Sequence, residues 1–136
     1  MEGTMMPAQE TTVASPSAPT TATGLTVQVR RTADGAAVCS LTGDLDVETL
    51  TEARTALEGA TVSRPTLLVA DLEHVGFCDS SGLNLLLKTR MNASTAGIPF
   101  RLAAPSHAIM RLLDITGANS VFSLHTSVDE ALSAPR

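Results

Sequence analysis

Tryptophan and tyrosine are absent from this chain, and phenylalanine occurs three times in 136 residues. That scarcity removes the flat platforms on which single-stranded nucleic acid stacks. Positive charge is short too: nine Lys and Arg face fourteen Asp and Glu, for a formal net charge of -5 and a pI near 5.0. The basic residues are scattered rather than massed, so no nucleic-acid partner is expected. No apolar run approaches the roughly 20 residues that span a bilayer. The first residues show neither the basic nor the hydrophobic region of a secretion signal. A cytoplasmic protein with no membrane partner is the expectation.

Cysteine is equally sparse. Cys39 and Cys78 form no C-x-x-C pair, and no histidine stands at ligand spacing from either. Two buried, reduced thiols are expected, with no metal and no cofactor. His74, His107 and His125 share no ligand spacing and read as surface residues. No Walker loop or G-x-G-x-x-G is present to cradle a phosphate. Gly76 and Gly82 do not bracket a serine as G-x-S-x-G, so a hydrolase elbow is missing and no enzymatic activity is expected.

What the chain does have is aliphatic: 43% of it is hydrophobic. That suits one domain with a Leu, Val, Ile and Ala core. Residues 1–24 are mostly Thr, Ala, Ser and Pro, with few large apolar side chains to offset ordering entropy. They read as a disordered tail ahead of a domain spanning 25–134.

In that domain Leu25, Val27 and Val29 alternate with polar residues, residues 33–35 supply a turn, and Ala37, Cys39 and Leu41 resume the alternation. The pattern predicts an antiparallel hairpin. Val47, Leu50, Ala53, Leu57 and Ala60 recur at helical spacing, with Glu48 and Glu52 in the early turns. The apolar run 66–72 suits a central strand. A helix over 83–91 follows, with Leu83, Leu86, Leu87 and Met91 on one face. Next come a strand with Ile98, Phe100 and Leu102 inward, and a helix from Ser106 carrying Ile109, Leu112 and Leu113, closed by Gly117. A short strand at 121–124 precedes a last helix with Val128, Ala131 and Leu132, opened by Ser127 and Glu130 as a capping box. Strict alternation after the hairpin predicts an α/β fold with βαβ crossovers, a mixed sheet and about four helices.

The stretch F-C-D-S-S-G-L at 77–83 lies where the central strand meets the next helix. A hydroxyl there is exposed and close to the positive end of a helix dipole, which suits a reversible phosphate. Ser80 also suits the role of helix N-cap, and the two roles are compatible. Asp79 reads as a turn or cap residue that shapes the loop around Ser80. Asp44 and Asp46 resemble paired catalytic carboxylates at first sight. A strand-to-helix loop explains them better, with Asp46 capping the helix that begins near Val47. Gly82 either admits a partner's backbone or relieves crowding at the helix start. Arg111 and Asp114, three apart, suit a weak ion pair.

Three stretches together, G-D-L-D at 43–46, F-C-D-S-S-G-L at 77–83 and R-L-L-D-I-T-G at 111–117, resemble the STAS domain of bacterial anti-sigma factor antagonists. The resemblance covers about residues 25–134 and implies a partner-switching role. The unphosphorylated antagonist binds an anti-sigma factor that is also a serine kinase, and so frees a sigma factor. The kinase, using ATP and magnesium, phosphorylates a serine of the motif; a serine phosphatase restores it. By motif position the acceptor is Ser80, with Ser81 as runner-up. The implied partner surface is Asp44, Asp46, Asp79, Ser80, Ser81, Gly82 and Asn84. The chain departs from the family pattern in having Asn84 for Gly, Leu113 for Phe and Cys78 for Met; Asn84, in the first helical turn, bears on which kinase is recognised. The alternatives are a STAS subunit of a larger signalling complex and a small-ligand or nucleotide sensor.

Overall fold

The computed structural model describes residues 20–22 and 24–135. Among these residues six strands form one sheet, ordered as in sequence: β1 (Thr20–Ala22), β2 (Leu25–Arg31), β3 (Ala37–Leu45), β4 (Leu68–Cys78), β5 (Phe100–Ala103) and β6 (Ser123–His125). The first three pair antiparallel and the last four parallel. Helices α1 (Leu50–Val62), α2 (Ser80–Thr95), α3 (His107–Thr116) and α4 (Val128–Ser133) punctuate the parallel half. The mixed α/β sheet with a leading hairpin is the architecture expected from the sequence.

Its first strand is not. The tail was expected to run to about Gly24, but Thr20–Ala22 pairs with Leu25–Val27, and Gly24 ahead of the second strand takes φ 90°. β-branched Thr20 and Thr21 suit a strand, and the ladder satisfies backbone groups that a coil would leave to water. Residues 1–19 lie outside the described residues.

Alternation holds in the hairpin: Leu25 and Val27 are buried and Val29 half-buried, while Gln28 and Arg30 face water. The main core joins these to Cys39, Leu41, Leu68, Ala70, Leu72 and Leu102 of the sheet and to one side of α1, α2 and α3. Phe100 and Phe122 meet there edge to face at 6.5 Å. On the other face, among the described residues, α4 alone covers the sheet, its Val128, Ala131 and Leu132 packing on Val38, Val69 and Ala103. Arg101 is 5% exposed beneath it. Its guanidinium donates to the carbonyls of Ala131 at 2.7 Å, Ala134 at 2.9 Å and Pro135 at 2.7 Å, a cation closing a helix C-terminus.

Strand β4 explains the shape of the site. Its register against β3 slips twice, between Ser40 and Thr42 and between Gly43 and Asp44. Each slip puts an extra residue into β4, so burial falls on Leu72, Val75 and Cys78, every third residue rather than every second. The sequence expectation ended this strand at Leu72 because the bulged part shows no alternation. On its other side β5 reaches only to Ala103, opposite Asp71. The remainder of β4 lies beside α3, whose first N–H groups start where Ser106 bonds the Leu72 carbonyl.

Ser106, Gly117 and Ser127 terminate helices as expected: Ser106 accepts from Ile109, Gly117 is left-handed at φ 78°, and Ser127 accepts from Glu130. The Glu130 carboxylate bonds Thr126 rather than Ser127, and that backbone N–H holds it below the usual carboxylate range. His125, expected on the surface, is tucked in with its side chain 14% exposed, within 2.9 Å of Ser123 Oγ and 3.7 Å of Glu130. Asp114 accepts from Asn119 at 2.9 Å, and the expected pair with Arg111 is not found among the described residues.

Candidate functional site

The site is the edge where β3 and β4 end side by side. Asp44 lies opposite Phe77 and Leu45 opposite Cys78, and the Asp79 N–H bonds the Leu45 carbonyl at 3.2 Å. Asp79, in extended backbone, is the N-cap of α2: Oδ1 accepts from the backbone N–H of Ser81 at 2.9 Å and of Gly82 at 3.1 Å. Ser80 is therefore the first helical residue and not the cap. It is exposed, and among the described residues no hydrogen bond engages its hydroxyl. An unengaged oxygen at a helix N-terminus can carry a phosphate without breaking anything the fold needs. Ser81 is half-buried and Asn84, one turn on, is exposed. With Ser80, Leu83 and Leu87 they line an open depression of ≈ 430 Å³.

Asp46 caps, but not where expected. The α-helix starts at Leu50 behind a turn over residues 47–49, and Asp46 Oδ1 accepts from the N–H of Glu48 at 3.0 Å and Thr49 at 3.2 Å. The buried Thr49 hydroxyl answers by donating to the Asp44 carbonyl at 2.9 Å. This bracing fixes the loop and turns Val47 outward, 68% exposed, instead of onto the helix's inner face. Gly43, at φ 117°, lets the loop start against the Gly24 carbonyl, which a Cβ would strike.

Gly82 is buried in the first turn of α2. A Cβ there would stand 2.7 Å from the Leu45 carbonyl oxygen and 2.8 Å from Cys78 Sγ. The absent Cβ relieves crowding at the helix start. Cys39 and Cys78 are free and buried. Burial pushes both thiols up to about 12, the Asp79 charge adding to the effect at Cys78. A neutral thiol is a poor nucleophile. Among the described residues no group of three His, Cys, Asp or Glu could hold a metal.

The structure thus gathers Asp44, Asp79, Ser80, Ser81 and Asn84 on one accessible edge, with Asp46 bracing it and Gly82 beneath. Sequence reading missed the apolar flank. Phe77 is 51% exposed and Val47 lies on the neighbouring loop. The helix face also turns: Leu85 is buried where Met91 was expected, and Met91 is 64% exposed.

The STAS domain family model matches residues 28–131. The anti-sigma-F factor antagonist RsfB of Mycobacterium tuberculosis is 29% identical over 103 residues, 76% of this chain and 84% of that protein. The crystal structure of an anti-sigma factor antagonist from Mycobacterium paratuberculosis is similar with a TM-score of 0.74 at 31% identity, over 81% of this chain and 92% of that one. The anti-sigma factor antagonist SpoIIAA in its unphosphorylated form shares the fold, with a TM-score of 0.67 at 21% identity over 78% and 92% of the two chains. With the family match running from the second strand into the last helix, the chain belongs to the STAS domain family.

Proposed function

We propose that this chain is an anti-sigma factor antagonist switched by phosphorylation at Ser80. The unphosphorylated form binds a cytoplasmic anti-sigma factor with serine kinase activity and releases the sigma factor. Phosphate on Ser80 reverses that binding, and a serine phosphatase resets it. The chain is then the kinase's substrate and no enzyme itself. The observation that carries the reading is the exposed Ser80 hydroxyl, unengaged among the described residues, one residue past the Asp79 cap. The names of the mycobacterial relatives support the antagonist role.

The switch is electrostatic. A phosphate adds about -1.5 to -2 charge at neutral pH to an edge that already carries Asp44, Asp46 and Asp79. The added repulsion and desolvation fall on the partner's surface, while the helix dipole offsets them within the fold. A cost of about 3 kcal/mol lowers affinity roughly a hundredfold.

Incubation with ATP, magnesium and purified anti-sigma kinases of the same genome tests this by intact mass and peptide mapping. One phosphoryl group on Ser80, absent from Ser80→Ala, is the expected result. Transfer to no residue, from any kinase, by a folded chain would overturn the switch and favour a scaffold or ligand-sensing role.

A further inference from the structure

Of the three phenylalanines in the chain, two are paired in the core and the third, Phe77, stands 51% exposed two residues before the Asp79 cap. Its outward aim is imposed by the second bulge of β4, which keeps Cys78 inward. Beside it opens a groove of ≈ 380 Å³ walled by Phe77, Cys78, Ala108, Arg111, Leu112 and Ile115. The groove exists because β5 stops at Ala103, leaving the end of β4 flanked by α3. Ile115 is 72% exposed on its rim.

We propose that this groove anchors the partner that reads Ser80, taking one large apolar side chain of it against Phe77 and Ile115, with a partner carboxylate meeting Arg111. This rests on the switch reading above. Two features select that occupant. The groove is continuous with the Ser80 edge, since Cys78 is both its wall and the strand end from which Asp79 and Ser80 leave. And the charges are ordered, with Arg111 on the α3 side and Asp44 and Asp79 on the other. A partner with an apolar anchor, an acidic group beside it and basic groups further along is oriented by that pattern. Apolar anchors in such pockets dominate interface affinity, aromatic ones above all. The anchor lies off the phosphate site, so it holds the substrate serine in place without touching the reaction.

The test titrates the full unphosphorylated chain, with ADP and magnesium, into the kinase that labels Ser80, and follows labelling rates separately. Phe77→Ala and Ile115→Ala are each expected to weaken binding about tenfold or more, and to raise KM with kcat unchanged. Arg111→Glu weakens binding while Arg111→Lys keeps it. Val62→Ala, a control on an equally apolar side chain 77% exposed at the far end of α1, changes nothing. Ile115 lies so far out of the core that its variant reports on binding even where Phe77→Ala lowers stability. Wild-type affinity in both Phe77→Ala and Ile115→Ala, alongside weakened Ser80→Asp, would overturn the anchor and leave the switch standing. If no kinase binds or labels the wild type, the switch falls and the anchor falls with it.

Discussion

Oδ1 of Asp79 accepts the backbone N–H of Ser81 at 2.9 Å, and this bond decides what Ser80 is free to do. Because the carboxylate takes the capping role, the neighbouring hydroxyl is left to solvent. The cap and the proposed switch fall to adjacent side chains.

That division is measurable. Asp79→Ala removes the cap and is expected to destabilise the domain by about 1 kcal/mol, whereas Ser80→Ala is expected to leave stability within about 0.5 kcal/mol. Urea denaturation of the two variants decides it. A larger loss for Ser80→Ala would make Ser80 the cap after all.

Binding should show the converse. Ser80→Ala is expected to bind the kinase like wild type and to resist phosphorylation, a constitutive antagonist. Ser80→Asp is expected to bind more weakly, by less than the roughly hundredfold of a true phosphate because it brings a single charge. Isothermal titration gives both numbers, and equal affinities for all three proteins would sink the charge mechanism.

Two glycines make opposite predictions. At Gly82 a Cβ would press on the Leu45 carbonyl and Cys78 Sγ, so Gly82→Ala is expected to cost about 1–3 kcal/mol by overpacking. Gly59, inside α1, has nothing within 4 Å of such a Cβ. Gly59→Ala is expected to stabilise by about 0.5–1 kcal/mol through helix propensity. Thermal melts of the pair should move in opposite directions.

The buried thiols give the fold an alkaline limit. Folding raises both from 9.0 to about 12. A raised pKa means that the folded state holds its protons more tightly. The resulting stability is complete below about pH 9 and is lost as pH climbs toward 12. The chain has no Tyr and a single Lys, so few other groups titrate in that window. Denaturation midpoints at pH 7, 9 and 10.5 should fall only above 9, and less steeply in Cys39→Ala. A flat profile would mean that the thiols ionise freely in the fold.

Much of this was legible in the sequence because the relevant signals are local. Ser106, Gly117 and Ser127 announce helix ends through their own backbone preferences, and Leu25, Val27 and Val29 announce a half-buried strand. The failures came where tertiary context outranked the local pattern. Bulges gave β4 a period of three that no strand template contains. In α2 the run Leu85, Leu86, Leu87 leaves the inner face ambiguous to any count of periodicity, and burial in the main core chose Leu85 and Leu86. Val47 looked like the first helical apolar residue because nothing local shows that Asp46 and Thr49 brace each other into a turn first. The site followed the same rule: Ser80, Asp79 and Asn84 were readable as a motif, while the groove beside Phe77 depends on where another strand stops.

The clasp of Arg101 bears on where the domain can be cut. The family match ends at residue 131, yet two of the three carbonyls that hold this guanidinium belong to Ala134 and Pro135. A chain trimmed to the family boundary would lose two of those acceptors and the end of α4, the one helix among the described residues that packs on that face of the sheet. The unit to transplant or fuse therefore runs through Pro135, with any added segment joined beyond it.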